Sequence, residues 1–325
     1  MKKNYIRPVI LFLLLLTFVT GNKLYAQTDP EGDGYWSLPI ETFTIVPVAV
    51  ANLPDGKLIT WSSRFPETFL ETGTGQTFTQ IFDPSLDATE PATVTQTNHD
   101  MFCPGINNLA DGRILSAGGV SDQETSIYDP ATGTWSAAAQ MNIPRGYQGN
   151  VTTKEGWVFT LGGSWSGSDT PATNGGKDAE LWTENTGWIN VPNIQGEDIY
   201  TANDLALEQQ GLYRVDNHLW LWAASDGSLF HAGPSEEMHW LDILANNGQG
   251  EIISAGQRGD SYSMKGTTVM FDIDKILKVG GAESYGDNPY TVVRPAKNET
   301  FVIDISGGYG STPTVTNSGL LAESR

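Results

Sequence analysis

The amino-acid sequence predicts an all-β fold, a β-propeller, and three observations support this prediction. A glycine-containing turn followed by a short apolar strand recurs along the chain after residue 43. Paired glycines stop several of these strands, and Gly118-Gly119 and Gly162-Gly163 lie 44 residues apart. Long helical periodicity is absent. A period of this length holds four short strands, which together form one propeller blade.

The repeated unit begins with a tight turn, in which a glycine supplies the positive φ that a hairpin needs. Five units are recognised, and they lie at Asp55-Gly56-Lys57, Asp111-Gly112-Arg113, Glu155-Gly156, Asp226-Gly227-Ser228 and Ile276 to Gly281. Outer strands that end in turns are predicted between the units, at Ile81 to Pro84, Ile127 to Pro130 and Thr134-Trp135.

A Gly-Gly pair with a later Trp in each period is typical of kelch-type blades. Residues 44–325 therefore predict an incomplete kelch-type β-propeller, with about five of an expected seven blades. A strand-like stretch, Gly319-Leu320-Leu321, is interpreted as the beginning of another blade. Residues 27–43 form a short N-terminal segment that has no room for a further domain.

Composition narrows the function classes. The chain has 325 residues and 39% apolar residues, so a substantial core is expected. Lys and Arg number 18 against 38 Asp and Glu, and this net charge of −20 makes nucleic acid a poor partner. The single cysteine cannot form an internal disulfide and is too little for a Cys-ligated zinc site.

The N-terminus resembles a secretory signal peptide. Lys2, Lys3 and Arg7 precede an apolar run from Val9 to Val19, and a small residue, Ala26, marks a cleavage position. The run is shorter than the roughly 20 residues of a membrane-spanning helix, although a membrane anchor is the alternative. We expect residues 1–26 to be removed and the protein to be secreted or periplasmic, without a membrane partner.

The only cysteine lies in the first of three short motifs, and the distances between these motifs in the sequence can be compared with the blade period. Cys103 belongs to the motif His99-Asp100-Met101-Phe102-Cys103-Pro104-Gly105, and Tyr147, in Arg145-Gly146-Tyr147-Gln148, follows it by 44 residues. One blade period separates the two residues, so they are expected at equivalent places near the propeller axis. Trp165 follows the Gly162-Gly163 pair, in the same blade as Tyr147.

These motifs, together with Gly211-Leu212-Tyr213-Arg214-Val215-Asp216-Asn217-His218, resemble the propeller of galactose oxidase and its copper radical oxidase relatives, including glyoxal oxidases. The resemblance runs from about residue 36 to the last residue. It implies a copper cofactor and oxidation of a primary alcohol, sugar or aldehyde by O2, with H2O2 as the second product. A monomer is expected.

The resemblance also implies roles for individual residues. Cys103 would be joined by a thioether to the ring of Tyr147, which would bind copper and hold a radical. Trp165 would stack over the thioether. Arg214 and Phe69 are the candidates for substrate contact. A sulfur ortho to the phenolate oxygen spreads the unpaired electron, and an indole over the ring limits solvent access.

The remaining copper ligands of the family, two histidines and an axial tyrosine, have no counterpart in this chain. The four histidines are His99, His218, His231 and His239, and none is expected to bind metal. His231 and His239 are interpreted as turn or surface positions. Two hypotheses follow: the N-terminal part of a secreted copper radical oxidase, or a non-catalytic kelch-type propeller that binds glycans or proteins.

Overall fold

Five antiparallel sheets account for nearly all regular structure in the described part of the chain. The computed structural model describes residues 43–62, 65–66, 75–163, 177–199, 219–282 and 295–324. All five sheets belong to one compact unit, Thr42–Arg325. The number of sheets equals the number of repeated units in the sequence, and the prediction of an all-β propeller fold is confirmed. The predicted signal segment lies outside the described residues.

Each sheet is made of strands that follow one another in the chain. Blade 1 contains β1 (Ala49–Asn52), β2 (Leu58–Trp61), β3 (Gln76–Asp83), β4 (Ala88–Thr89) and β5 (Thr93–Gln96). Blade 2 contains β6 (Gly105–Asn108), β7 (Ile114–Ala117), β8 (Thr125–Asp129) and β9 (Thr134–Ala137). Blade 3 contains β10 (Gly149–Thr152), β11 (Val158–Leu161), β12 (Glu180–Thr183) and β13 (Gly187–Asn190).

The last two blades have the same order. Blade 4 contains β14 (Leu221–Ala223), β15 (Leu229–His231), β16 (Glu237–Asp242) and β17 (Glu251–Gln257). Blade 5 contains β18 (Thr267–Asp272), β19 (Lys275–Gly281), β20 (Lys297–Asp304) and β21 (Thr314–Leu320). The described helical structure consists of one 3₁₀ turn, Gly196–Ile199, and one four-residue turn, Ala245–Gly248.

The first hairpin of each blade explains the repeated glycine. In blade 1, Leu53 N donates to Lys57 O at 2.8 Å and Gly56 N donates to Leu53 O at 3.0 Å. The same two bonds recur in the first hairpins of blades 2, 3 and 4. The glycines of these four turns have φ between 81° and 98°. Blade 5 places Asp274 in this left-handed conformation instead, with φ 57°, which Asp tolerates better than most residues.

Neighbouring blades share their cores, and the tryptophan of the repeat joins them. Trp135, on the outer strand β9, donates its indole N–H to Thr79 Oγ1 of blade 1 at 3.0 Å. Trp188, on the outer strand β13, makes the same bond to Thr125 Oγ1 of blade 2 at 3.0 Å. Both indoles are buried in apolar clusters that contain residues of two successive blades. In blades 2 and 3 the later Trp of the period is therefore an inter-blade residue.

Two sequence interpretations were wrong. Gly319 and Leu320 do not begin another blade, because they end β21, which pairs with β20 as the outer strand of blade 5. His231 and His239 are not at turns or on the surface, because they lie opposite each other on β15 and β16 and both are buried. No helix within the described ranges is long and apolar enough to cross a membrane.

Candidate active site at the Cys103 and Tyr147 loops

Cys103 and Tyr147 occupy equivalent positions in successive blades. Cys103 lies two residues before β6, the first strand of blade 2, and Tyr147 lies two residues before β10, the first strand of blade 3. Both residues are half-buried. Cys103 and Tyr147 are 44 residues apart, which is one period of the repeat. The repeat therefore brings the only cysteine and this tyrosine to the same end of neighbouring blades.

The two residues are in direct backbone contact. Tyr147 N donates to Cys103 O at 3.1 Å. Cys103 has φ 59° and Tyr147 has φ 60°, in the left-handed region that side chains with a Cβ rarely occupy. Each such residue costs about 1–2 kcal/mol. Strained backbone of this kind persists where the surrounding structure fixes it, and it is frequent at functional sites.

The Gly118-Gly119 pair supports both loops. Gly119 N donates to Arg145 O at 3.0 Å and Val120 N donates to Phe102 O at 3.0 Å. A methyl group at position 118 would overlap Arg145 O, and one at position 119 would overlap Phe102 O. Only glycine therefore lets the end of β7 approach the Cys103 loop and the Tyr147 loop together.

The buried ring of His99 holds the turn at Gly118-Gly119 in place through hydrogen bonds. Its Nε2 donates to Gly118 O at 2.8 Å, so its Nδ1 accepts from Ser126 Oγ at 3.0 Å. Burial lowers the pKa of His99 to about 4, because the charged imidazolium is poorly solvated there. The imidazole is neutral at neutral pH, and both ring nitrogens are used in hydrogen bonds. His99 is thus a supporting residue of the site.

Trp165, Arg214 and Phe69 lie outside the described residues, as does His218. Gly163, two positions before Trp165, is described, and a methyl group there would crowd Gly146 O beside Tyr147. The strand that leads to Trp165 therefore ends against the Tyr147 loop.

The other two histidines that the structure describes, His231 and His239, lie in blade 4. His231 Nδ1 and His239 Nδ1 are 3.2 Å apart on the paired strands β15 and β16. Burial lowers the pKa of His239 and holds the pKa of His231 well below its usual range. Among the residues that the structure describes, no group of three or more His, Cys, Asp or Glu side chains could hold a metal ion.

Sequence reasoning missed one supporting element, the buried ion pair between Arg145 and Glu180. The signal that could have identified Glu180 is its position between Ala179 and Leu181 in an apolar strand. A carboxylate that is buried in such a strand needs a partner of opposite charge. Arg145 was noted only as part of the motif that contains Tyr147.

Comparisons with known proteins find relatives that cover most of this chain. No protein-family model matches the chain. Two curated sequences named galactose oxidase, both from Gibberella zeae and one of them from strain PH-1, are each 38% identical over 276 residues. The matched region covers 82% of this chain. This chain belongs to the galactose oxidase-like family.

The chain spans about two fifths of the length of these curated relatives, since the match covers 38% of each. Among solved structures, a fungal alcohol oxidase of the AA5 family, in complex with copper, matches with a TM-score of 0.74 and 34% identity. That match covers 87% of this chain and 56% of the fungal chain.

The described residues fit one half of the cofactor that the family suggests. Cys103 and Tyr147 supply a thiol and a phenol in adjacent loops, and a phenolate oxygen is a suitable ligand for Cu(II). A complete copper site usually contains several nitrogen or oxygen ligands in a tetragonal arrangement. Within the described ranges Tyr147 offers a phenol oxygen at these loops, whereas both nitrogens of His99 are engaged in hydrogen bonds.

Proposed function

We propose that this chain forms the propeller part of a copper radical oxidase that acts on primary alcohols. The reaction would convert RCH2OH and O2 to an aldehyde and H2O2, which balances atoms and electrons. The observation that carries the proposal is the hydrogen bond from Tyr147 N to Cys103 O, which holds the two residues together in a galactose oxidase-like chain. Copper, when bound, would supply one of the two one-electron couples that a two-electron oxidation needs.

The protein would supply the second couple from its own side chains. A thioether forms when the Cys103 sulfur bonds to a ring carbon of Tyr147, ortho to the phenol oxygen. The S–H and C–H hydrogens leave as two protons and two electrons, which O2 accepts to give H2O2. The sulfur then spreads the unpaired electron of the tyrosyl radical, which makes the phenolate easier to oxidise.

Other residues would shield the radical and hold substrate. Trp165 would cover the thioether, because an indole stacked on the ring limits solvent access. Arg214 would hold a substrate oxygen as a hydrogen-bond donor, and Phe69 would pack against the carbon skeleton.

The N-terminal segment would direct export, since residues 1–26 have the charged, apolar and small-residue order of a signal peptide.

The proposal is tested with the full-length protein after copper loading. Galactose, glycerol and methylglyoxal are offered as substrates, and a coupled peroxidase assay measures H2O2 while elemental analysis measures copper. We expect substrate-dependent H2O2 from the parent and a loss of at least about 1,000-fold in Tyr147→Phe, because the phenol oxygen is both ligand and radical site.

Tyr309→Phe is the matched control, because Tyr309 is also half-buried but lies in blade 5, and its hydroxyl donates to Glu251 of blade 4. It should retain the parent rate. The non-catalytic alternative would be supported instead if the full-length protein, after exposure to copper, retained no copper and made no H2O2 but bound a glycan or a protein.

A further inference from the structure

We propose that the buried ion pair of Arg145 and Glu180 is a positioning unit, which holds the Tyr147 loop in register with Cys103 so that the thioether can form. The inference rests on the proposed function. The pair would transfer neither electrons nor protons in that step. It would act through the backbone of residues 142–147, whose geometry the following contacts define.

Residues 142–145 are attached to residues 177–180, which lead into β12, by six hydrogen bonds within the described chain. Glu180 accepts from Asn142 N at 2.7 Å and from Ile143 N at 3.1 Å. Lys177 Nζ donates to Pro144 O at 2.8 Å. A single carboxylate and a single ammonium therefore fix the three residues that precede Arg145.

The Arg145 guanidinium completes the attachment. It donates to Glu180 Oε2 at 3.0 Å, to Lys177 O at 3.2 Å and to Asp178 O at 2.6 Å. It also donates to Gly162 O at 3.0 Å, at the end of β11, the strand that leads to Trp165. The planar fork of an arginine can serve these acceptors at once, whereas a lysine ammonium is a single point charge.

The backbone of Arg145 carries this restraint across to blade 2. Arg145 O accepts from Gly119 N at 3.0 Å and Arg145 N donates to Asp122 O at 2.9 Å. Two residues later, Tyr147 N donates to Cys103 O. The side chain of Arg145 is thus fixed in blade 3 while its backbone is fixed in blade 2, and Tyr147 lies next to this junction.

Stability alone does not require an ion pair at this position. The side chains of Arg145 and Glu180 are both 0% exposed. The cost of removing two charges from water offsets much of the favourable energy of their attraction. Apolar residues of similar volume often give a protein of equal or greater stability. They would not bind the backbone N–H groups of Asn142 and Ile143, so they would leave the loop less restrained.

Restraint matters because cross-linking requires close approach of sulfur and ring carbon. Reacting atoms must be held about 3–3.5 Å apart, and a misplacement of about 1 Å can reduce a rate about 100-fold. Cys103 and Tyr147 both have left-handed backbone conformations, which a loosened loop would leave. We therefore expect the ion pair to influence the rate of cross-linking more than the stability of the fold.

The test uses two variants of the full-length protein and a matched control. Arg145→Met with Glu180→Leu removes both charges together, so that no charge is left buried without its partner. Arg145→Lys keeps the charge but loses the fork. The control is Arg258→Met, which removes another buried arginine that binds carbonyl oxygens, those of Ala232 and Ser235. Asp260 then still pairs with Lys278 at 2.6 Å.

Three quantities are measured: thermal unfolding, amide hydrogen exchange of residues 142–148, and the rate of thioether formation after addition of copper to reduced protein under O2. Thioether is measured by mass spectrometry of the joined Cys103 and Tyr147 peptides. We expect the double variant and Arg145→Lys to cross-link at least about 10-fold more slowly than the parent, with faster exchange in 142–148. Arg258→Met should match the parent in both.

A folded Arg145→Lys or double variant that cross-links at the parent rate overturns the inference. If neither variant folds, amide hydrogen exchange in the parent protein decides. A positioned loop predicts that the amides of residues 142–148 are protected as well as those of β11. Rapid exchange in residues 142–148 would contradict the inference. A parent that never forms the thioether contradicts the proposed function, whereas a parent that forms it alongside equally fast variants contradicts only this inference.

Discussion

Tyr147 donates its backbone N–H to the carbonyl oxygen of Cys103 at 3.1 Å, across the boundary between blades 2 and 3. Both residues have φ near 60°, so each loop turns in the same unusual way just before its first strand. The contact brings together a thiol and a phenol that are 44 residues apart in the sequence.

Gly119→Ala should destabilise the protein and disturb the Cys103 loop. Gly119 has φ 99°, and an added methyl group would overlap Phe102 O. The unfavourable φ costs about 1–3 kcal/mol, and the overlap adds to this cost. Chemical denaturation measures the change in the free energy of unfolding.

Gly56→Ala is the matched control for this substitution. Gly56 has φ 86°, but nothing lies within 4 Å of the added methyl group. It should show the conformational cost alone, so Gly119→Ala should be the more destabilising of the two. Equal losses at the two positions would mean that the approach of Gly119 to Phe102 has no energetic importance.

Stability should fall as the pH is lowered from 6.5 to 4, and His99 should account for part of the loss. Its pKa is about 4 in the folded protein and 6.5 in the unfolded chain. In this window the unfolded state binds more protons, so stability is fully present above pH 6.5 and decreases towards pH 4. A depression of this size corresponds to roughly 3 kcal/mol.

His99→Gln tests this assignment, because an amide can donate to Gly118 O and accept from Ser126 Oγ without titrating. The difference between the free energies of unfolding at pH 6.5 and pH 4 should be smaller in the variant by roughly 3 kcal/mol. His231 and His239, whose pKa values are also lowered by burial, would contribute to the loss that remains. An unchanged pH dependence would exclude His99 as a cause.

Trp188 should contribute to the interface of blades 2 and 3 through both its volume and its N–H. Trp188→Ala should cost about 3–5 kcal/mol, since the indole is buried. Its hydrogen bond to Thr125 should contribute about 1 kcal/mol. A double-mutant cycle of Trp188→Phe and Thr125→Val measures this bond, and a coupling energy near zero would show that the indole acts through packing alone.

Trp165→Ala should leave copper content largely unchanged while it shortens the lifetime of the radical and lowers turnover. This expectation follows from the family resemblance, since Trp165 lies outside the described residues. Radical absorbance and H2O2 production are measured in copper-loaded full-length protein. Equal H2O2 production in variant and parent would show that Trp165 has only a structural role.

The repeat made most of the fold predictable. The turn glycines at positions 56, 112, 156 and 227 identified four hairpins, because positive φ at a tight turn leaves few alternatives. The fifth blade was recognised from its apolar strand and paired glycines, although its turn has Asp274 in place of glycine. The interpretation of Gly319 and Leu320 as a new blade was wrong, because a short apolar stretch does not indicate whether it is an inner or an outer strand.

The positions of the histidines were not predictable from local pattern. Leu229, Phe230 and His231 are all buried, so β15 has no alternation of exposed and buried residues that would indicate the environment of His231. The closeness of Cys103 and Tyr147 was predictable because it depends only on the blade period. The attachment through Glu180 was not, since it joins residues 35 positions apart through side-chain contacts that no spacing rule specifies.

The covalent state of Cys103 tests the central claim most directly. Full-length protein is exposed to copper and O2, then reduced, alkylated, digested and analysed by intact mass and peptide mapping. We expect a loss of two hydrogens and a joined peptide that contains Cys103 and Tyr147 and resists reductant. A free Cys103 that is alkylated quantitatively in copper-loaded protein would contradict it.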